Sequence, residues 1–404
     1  MKHIQRIVLA YSGGLDTSVM LAWLKEHYQA DIVTFTADLG QGDSLLHVRR
    51  KALDTGASRA YVEDLQHTFC SEYVLPALRA GALYEGCYPL ATALGRPLIA
   101  RRLVEIAEAE GAQAVAHGCS GKGNDQVRLE VAAAALNPDL QILAPLRDWD
   151  LKSREDEIRY AEAHGIAVPV SSSSPYSLDR NLWGVSVECG SLEDPTQEPP
   201  ADTYFTVTPV QEAPREPTYL EVDFDCGVPC KLDGTSMELV PLIRTVNELG
   251  GSHGVGRIDL IENRLVGIKP GEIYEAAGAT ILHLARTELE RLVLDRDTFR
   301  FKQLVASQYA DLVYNGLWHS PLRRALDAFV DSTQQAVTGR IRIKLYQGSA
   351  VVVGRSSPVS RYHFNLATYG KEDEFDQRAA AGFIKLWGLP LRTPSGEHAP
   401  PRQS

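Results

Sequence analysis

Short apolar runs and amphipathic stretches alternate along the chain through about residue 165. Ile7 to Ala10, Ile32 to Thr36, Ala60 to Glu63, Ala114 to His117 and Gln141 to Ala144 are apolar or β-branched runs of strand length. Between them lie stretches such as Thr17 to Tyr28, where Met20, Leu21, Leu24 and Tyr28 share one face at helical spacing. Buried strands separated by helices predict βαβ units, hence a parallel sheet covered on both faces. Ligands of such sheets bind beyond the carboxyl ends of the strands. The loops after Ala10, Thr36 and His117 are therefore where chemistry is expected.

The pattern changes near Ser171 to Pro175, four serines ending in proline, and a proline-rich stretch from Pro195 to Pro217 then reads as a connector. Beyond it, Tyr219 to Phe224 reads as a strand, while Glu238 to Leu249 and Ala279 to Leu292 read as helices. Ile341 to Tyr346 and Ala350 to Gly354, joined through Gln347-Gly348, predict a hairpin. Phe375 to Leu386 reads as an apolar helix, and the final residues, rich in Pro, Ser and Gly, as a disordered tail. The divisions expected are a parallel-sheet domain over 1–170, a mixed α+β domain over 171–362, a C-terminal segment over 363–390 and a tail over 391–404.

Composition bounds the choices. The 404 residues are 44% hydrophobic, enough for two domains with real cores, and the formal net charge is -11. No block of Lys and Arg stands out to neutralise phosphates, which disfavours nucleic acid as a partner. Neither a signal peptide nor an apolar run long enough to span a membrane is present, so a soluble cytosolic protein is expected. Six scattered cysteines, with Cys226 and Cys230 lacking a second pair, read as reduced structural thiols and not as a zinc site.

The densest chemistry lies in Ala10-Tyr11-Ser12-Gly13-Gly14-Leu15-Asp16-Thr17-Ser18, between a strand and a helix. Paired glycines permit positive φ and close approach, so successive N–H groups can converge on an anion. Ser12, Thr17 and Ser18 add hydroxyls, and the helix that follows presents its positive end. The loop suits a polyphosphate. Asp16 repels phosphate unless a cation intervenes, which implies Mg2+. The plainer alternative is a turn capped by Asp16 or Thr17. The loop is not a Walker motif. Elsewhere, Gly121-Lys122 has Ala116 where the first Walker glycine belongs, and Gly121-Lys122-Gly123 and Gly254-Val255-Gly256 fail as Rossmann fingerprints at Gln126 and Asp259.

The strand, Ser-Gly-Gly-x-Asp-Thr/Ser loop and helix resemble the N-type ATP pyrophosphatases, which cleave ATP between the α- and β-phosphates and adenylate a substrate. Further blocks narrow the resemblance: Phe35 to Gly40, Ala82 to Gly86, His117 to Arg128, Pro175 to Ser177, Asn181 to Gly184, Leu192 to Pro195, His253 to Arg257, Ile261 to Arg264 and Tyr314 to Trp318. In that order, from about residue 6 to Pro390, they are similar to the argininosuccinate synthases. The resemblance implies an α/β fold: an N-terminal parallel-sheet nucleotide-binding domain of the adenine nucleotide alpha hydrolase kind, a second α+β synthetase domain, and a C-terminal oligomerisation helix in a homotetramer. It implies a cytoplasmic ligase of arginine biosynthesis that condenses citrulline with aspartate through citrullyl-AMP, releasing AMP and pyrophosphate.

On this resemblance ATP lies against Ala10, Tyr11, Ser12, Gly13, Gly14, Leu15, Asp16, Thr17, Ser18, Ala37 and Gly118, with Mg2+ as its cation and no dedicated protein metal site. Citrulline lies against Tyr88, Thr92, Asn124, Arg128, Ser177, Ser186, Glu262 and Tyr274, and aspartate against Ser120, Asn124 and Asp125. Asp16 and Asp125 are the catalytic candidates. The residues agree in part: Arg128 lies one helical turn after Asn124, and its guanidinium suits a carboxylate bidentately. Several alternatives remain open. Asn124 and Asp125 also suit a helix cap, His117 a packed structural histidine, and the apolar C-terminal helix a fold-back onto its own domain. A tRNA-modifying pyrophosphatase or a nucleotide-binding sensor are the rival functions.

Overall fold

The computed structural model describes residues 4–42, 45–151, 153–167 and 176–392. The serine run ending at Pro175, the expected boundary at residue 170 and nearly all of the expected tail lie outside these residues. Residues up to Val359 form one compact unit and those from Ser360 another.

The first unit opens on β1 (Arg6–Ala10), β2 (Asp31–Asp38), β3 (Arg59–Asp64), β4 (Ala114–Ala116) and β5 (Gln141–Leu143), all parallel and in spatial order β3-β2-β1-β4-β5. Each strand falls where the apolar runs predict it. Alternation along β1 sends Ile7 and Leu9 to one face, among Val19, Met20, Leu24 and Trp149. Val8 points to the other, among Leu103, Val104 and Ala107 of the helix Ala91–Glu110. The sheet is thus dry on both faces, and its strands read as continuous apolar runs for that reason. Strand order reverses between β1 and β4. The loops after Ala10 and Ala116 therefore splay apart there and open a crevice.

The remainder of the unit is built on two antiparallel sheets. One runs Arg257–Ile261, Gly271–Glu275, Gly184–Glu188, Ser177–Asn181. The expected connector, Pro195 to Pro217, holds no strand, only the short 3-10 turns Ala201–Thr203 and Val210–Glu212; the strands Ser177–Asn181 and Gly184–Glu188 lie ahead of it, where no strand was expected. On this sheet Val185, Val187 and Ile273 form an apolar face with Leu192. The opposite face carries the alternate residues, and one rung aligns Tyr274, Ser186 and Asp179 across three strands. The other sheet contains Thr218–Asp225 and the expected hairpin, Gly339–Tyr346 with Ser349–Ser356. Helices Leu239–Ser252 and Ala277–Val293 bury Leu242, Val246, Ile281 and Leu289 with Leu220, Val222, Ile341 and Ile343 of that sheet.

The second unit holds the helices Phe364–Ala367, Ala379–Trp387 and Leu389–Arg392. The helix expected from Phe375 begins at Ala379; Phe375 itself precedes it in irregular chain. Phe383, Ile384, Leu386 and Trp387 are all exposed, Leu386 by 70%.

Candidate active site

The loop after β1 is shaped by its own side chains. Gly13 takes φ of +82°, and a Cβ there would come within 3.1 Å of Val48; Gly14 is extended and caps the helix Leu15–Tyr28 with no side-chain bond. Asp16 therefore does not cap the helix, and the capping alternative falls away. Ser12 Oγ meets Thr17 Oγ1 at 3.0 Å on the open side. Ser18 does not present its hydroxyl as a free donor: it gives its hydrogen to the Gly14 carbonyl at 2.7 Å and also meets the Tyr11 hydroxyl at 2.9 Å. Leu15 likewise packs inward with the core below the sheet. Lys51 Nζ braces the loop through the Gly13 carbonyl at 2.8 Å, and burial lowers the pKa of its ammonium.

Above this loop lies a cleft of about 510 Å3, lined by Ala10, Tyr11, Ser12, Thr17, Ala37 and Gly118 among others. Its volume falls in the range of small-molecule sites. His117 stands at its wall with both ring nitrogens engaged: Nδ1 accepts from the Cys119 N–H at 3.3 Å, and Nε2 lies 3.2 Å from Glu130. That pattern places the proton on Nε2 and makes the imidazole a positioned wall group.

A second, narrow cavity of about 70 Å3 lies beside the cleft. Tyr88, Thr92, Asn124, Asp125, Arg128, Ser186, Glu262 and Tyr274 all line it. These residues come from four separate parts of the chain. Tyr88 stacks on Tyr274 with ring centres 3.9 Å apart, and Thr92 meets Ser186 at 3.0 Å. Glu262 accepts hydrogen bonds from the hydroxyls of Tyr274 and Tyr314, while Asn124 donates to Tyr314 at 2.7 Å and accepts from the Leu265 N–H. Ser120 and Ser177 are exposed and outside this lining, Ser177 lying two residues before Asp179 on the same strand.

Asn124 occupies the start of the helix Asp125–Leu136 without a side-chain cap bond, and Asp125 bonds elsewhere. Its carboxylate accepts from Arg96 at 2.7 Å and from Arg128 at 2.9 Å. Burial alone raises the Asp125 carboxyl, but the two guanidiniums outweigh it and hold the pKa at about 2. Arg128 also donates from Nε to the Tyr314 carbonyl at 2.9 Å and lies over the Tyr314 ring. Gly316, at φ +75°, lets that turn pass close to Arg128: a Cβ there would lie 2.8 Å from the Arg128 Cα.

Several residues now in the two cavities had no motif to mark them. Arg96 lies one helical turn past Thr92, a spacing that puts both on one face. Asp179 shares its strand face with Ser177. Glu188, Glu272 and Arg264 join the second cavity, where Arg264 bonds both carboxylates. Burial and the neighbouring Glu188 and Glu262 raise the Glu272 carboxyl to about 8. Carboxylates thus outnumber guanidiniums there, a setting that attracts ammonium groups.

Glu157, on the helix Arg154–Ala163, faces Asp16 and is 8% exposed. Burial first, and then the Asp16 carboxylate, raise its pKa to about 8. No group of three or more His, Cys, Asp or Glu side chains stands ready for a metal among the described residues. The Asp16 and Glu157 pair does offer two oxygen donors beside the loop, the donor chemistry a small divalent cation takes when phosphate oxygens complete its shell.

Two family models match: "Arginosuccinate synthase N-terminal HUP domain" over residues 6–167 and "Arginosuccinate synthase C-terminal domain" over residues 176–393. The chain is similar to the argininosuccinate synthase of Chlorobaculum tepidum, at 56% identity over 390 residues covering 96% of this chain and 97% of that one. It is similar to that of Pelotomaculum thermopropionicum at 54% identity over 387 residues, 96% of each chain.

The Glu157 and Asp16 pair predicts a pH signature. The folded protein holds a Glu157 proton that the unfolded chain releases near its ordinary value, so stability falls as pH rises from about 4.5 through about 8. Glu157→Gln removes this loss. Wild type and variant should melt alike near pH 5, and the variant should melt higher near pH 8.5. Glu272 titrates identically in both proteins, so the difference isolates Glu157. Equal melting temperatures across the range would contradict the assignment.

Proposed function

The chain belongs to the argininosuccinate synthase family, and from that premise we propose how its two cavities divide the reaction. It is an ATP-dependent ligase that joins citrulline to aspartate in arginine biosynthesis. The observation that carries the proposal is the shared wall: Asp179 lines both the nucleotide-sized cleft and the acidic cavity.

In this reading the Ala10 to Ser18 loop, Ala37 and Gly118 hold ATP. Backbone amides and the helix N-terminus face the phosphates, while Ser12 and Thr17 supply the hydroxyls. The acidic cavity takes the two amino acids. Arg128 meets a carboxylate with the guanidinium nitrogen left by Asp125 and Tyr314, and Glu262, between two tyrosine hydroxyls, meets an ammonium. Ser120 and Ser177 complete the amino-acid contacts from the rim. Asp16 and Glu157 would hold Mg2+, which when bound neutralises charge on the departing pyrophosphate.

The chemistry then needs alignment more than a protein nucleophile. The citrulline ureido oxygen attacks the α-phosphorus, and the bond to the β-phosphate oxygen breaks with its electron pair leaving on pyrophosphate. The aspartate amine next attacks the ureido carbon of citrullyl-AMP and expels AMP, losing a proton as it does so. Asp125, kept ionised by its two arginines, is an acceptor only, suited to orienting that amine through its hydrogens.

The wider reading is a cytoplasmic homotetramer without a nucleic-acid partner. The net charge of -11 supports the last point, and six free cysteines support a reducing compartment. Exposed Phe383, Ile384, Leu386 and Trp387 form an apolar helix that supports assembly through the C-terminal segment.

Two measurements test this. With ATP, citrulline and aspartate, the nucleotide products should be AMP and pyrophosphate, and omission of citrulline should abolish both. ADP and orthophosphate in equal amounts would overturn the reading. Light scattering should give a tetramer for the full chain and a smaller species for a chain ending at Val359. A tetramer of unchanged order after truncation would refute the role of the C-terminal segment.

A further inference from the structure

Adenylation requires the ureido oxygen and the α-phosphorus to meet, although the reactants occupy different cavities. The common wall at Asp179 fixes that place, on the strand Ser177–Asn181 and beside Arg96. Arg96 lines the nucleotide cleft and bonds Asp125 and Asp179 through the same nitrogen, Nη2. Its Nη1 and Nε have no partner among the described residues, and neither is shut away as a buried orphan. Both donors therefore keep access from outside on a side chain that lines the cleft.

The other cations are placed differently. Arg128 spends Nε on the Tyr314 carbonyl and Nη1 on Asp125, and Arg264 is held by Glu188 and Glu272. Arg180 lines the cleft, but it follows Asp179 directly on the strand and so points to the opposite sheet face, with no part in the second cavity. Arg96 alone among these touches the cleft and is bonded into the amino-acid cavity.

We propose that Arg96 is a catalytic residue of the first half-reaction, its Nη1–H and Nε–H donors holding the non-bridging oxygens of the α-phosphate. The proposal rests on the ligase reading above. As the ureido oxygen closes on phosphorus, negative charge gathers on those oxygens and leaves with pyrophosphate; no proton passes to or from the guanidinium. Two carboxylates lock the planar group before substrate arrives, so its dipoles need no reorganisation during the step. The fork geometry matters: a lysine ammonium is a point charge and cannot hold two carboxylates and two phosphate oxygens together. Through Asp125 the same residue ties phosphate position to the carboxylate proposed to orient the aspartate amine.

The test compares Arg96→Lys and Arg96→Gln with wild type in three measurements: citrulline-dependent ATP–pyrophosphate exchange, direct binding of AMP and of adenosine, and thermal unfolding. Exchange turnover should fall about 10²–10³-fold, as on removal of a preorganised donor elsewhere. AMP, which carries the α-phosphate, should bind at least ~10-fold more weakly, while adenosine, which lacks it, stays within about twofold of wild type. A purely structural role would weaken both ligands together. Equal losses for AMP and adenosine, or exchange at wild-type turnover, would overturn the proposal. Absence of citrulline-dependent exchange in the wild-type protein would overturn the ligase reading instead, and the AMP-to-adenosine comparison would still decide whether Arg96 contacts the α-phosphate.

Discussion

A guanidinium held largely out of water must find its charge balanced, and Arg96, 18% exposed, finds it on Asp125 and Asp179. Those three residues come from a helix, the start of another helix and a strand of a different sheet, separated by 29 and 83 positions in the chain. The pairing cannot form until the parallel sheet and the antiparallel sheet have docked. Once formed it resists displacement, because removing one partner leaves a charge that the partly covered site can no longer balance. A hydrophobic trio of equal volume could pack as stably. Retaining charge here serves position, holding the wall between the cavities at one geometry.

From that wall the site divides by chemistry. In the proposed division, phosphate is met mainly by backbone, at the point where sheet order reverses and a glycine accepts φ of +82°. The amino-acid side of that division falls to side chains, delivered by a sheet whose one face is apolar and whose other face carries Tyr274, Ser186 and Asp179 in a single rung. The period of two along the strands makes this economical: Val185, Val187 and Ile273 go to the apolar face, while Ser186, Glu188, Glu272 and Tyr274 go to the cavity. Tyr314 and Glu262 close the far side, held by Asn124 and by the turn at Gly316.

The parallel sheet was legible because its strands are buried on both faces and read as unbroken apolar runs. The hairpin after Gly339 was legible from its Gln347-Gly348 turn, where Gly348 takes φ of +80°. Ser177–Asn181 and Gly184–Glu188 were not: Asp179, Arg180, Ser186 and Glu188 interrupt any apolar signal, since one face of these strands lines a polar cavity. Within the phosphate loop, composition suggested more free hydroxyls than the fold supplies, because Ser18 is turned to the Gly14 carbonyl and the Tyr11 hydroxyl. Eight of the residues taken from family likeness line a single cavity, whereas spacing alone linked only Asn124 with Arg128. Glu157 and Arg96 escaped notice because their meaning lies in partners distant in the chain: Asp16 for one, Asp125 and Asp179 for the other.

The central claim is that citrulline itself receives the adenylyl group at the junction of the two cavities. Citrulline labelled with 18O in its ureido oxygen tests this directly. The protein is supplied with labelled citrulline, ATP and aspartate, and the AMP formed is examined by mass spectrometry. Attack of the ureido oxygen on the α-phosphorus, followed by expulsion of AMP, carries the label into the phosphate of AMP. Unlabelled AMP, with the 18O recovered in pyrophosphate, orthophosphate or water, would contradict the account.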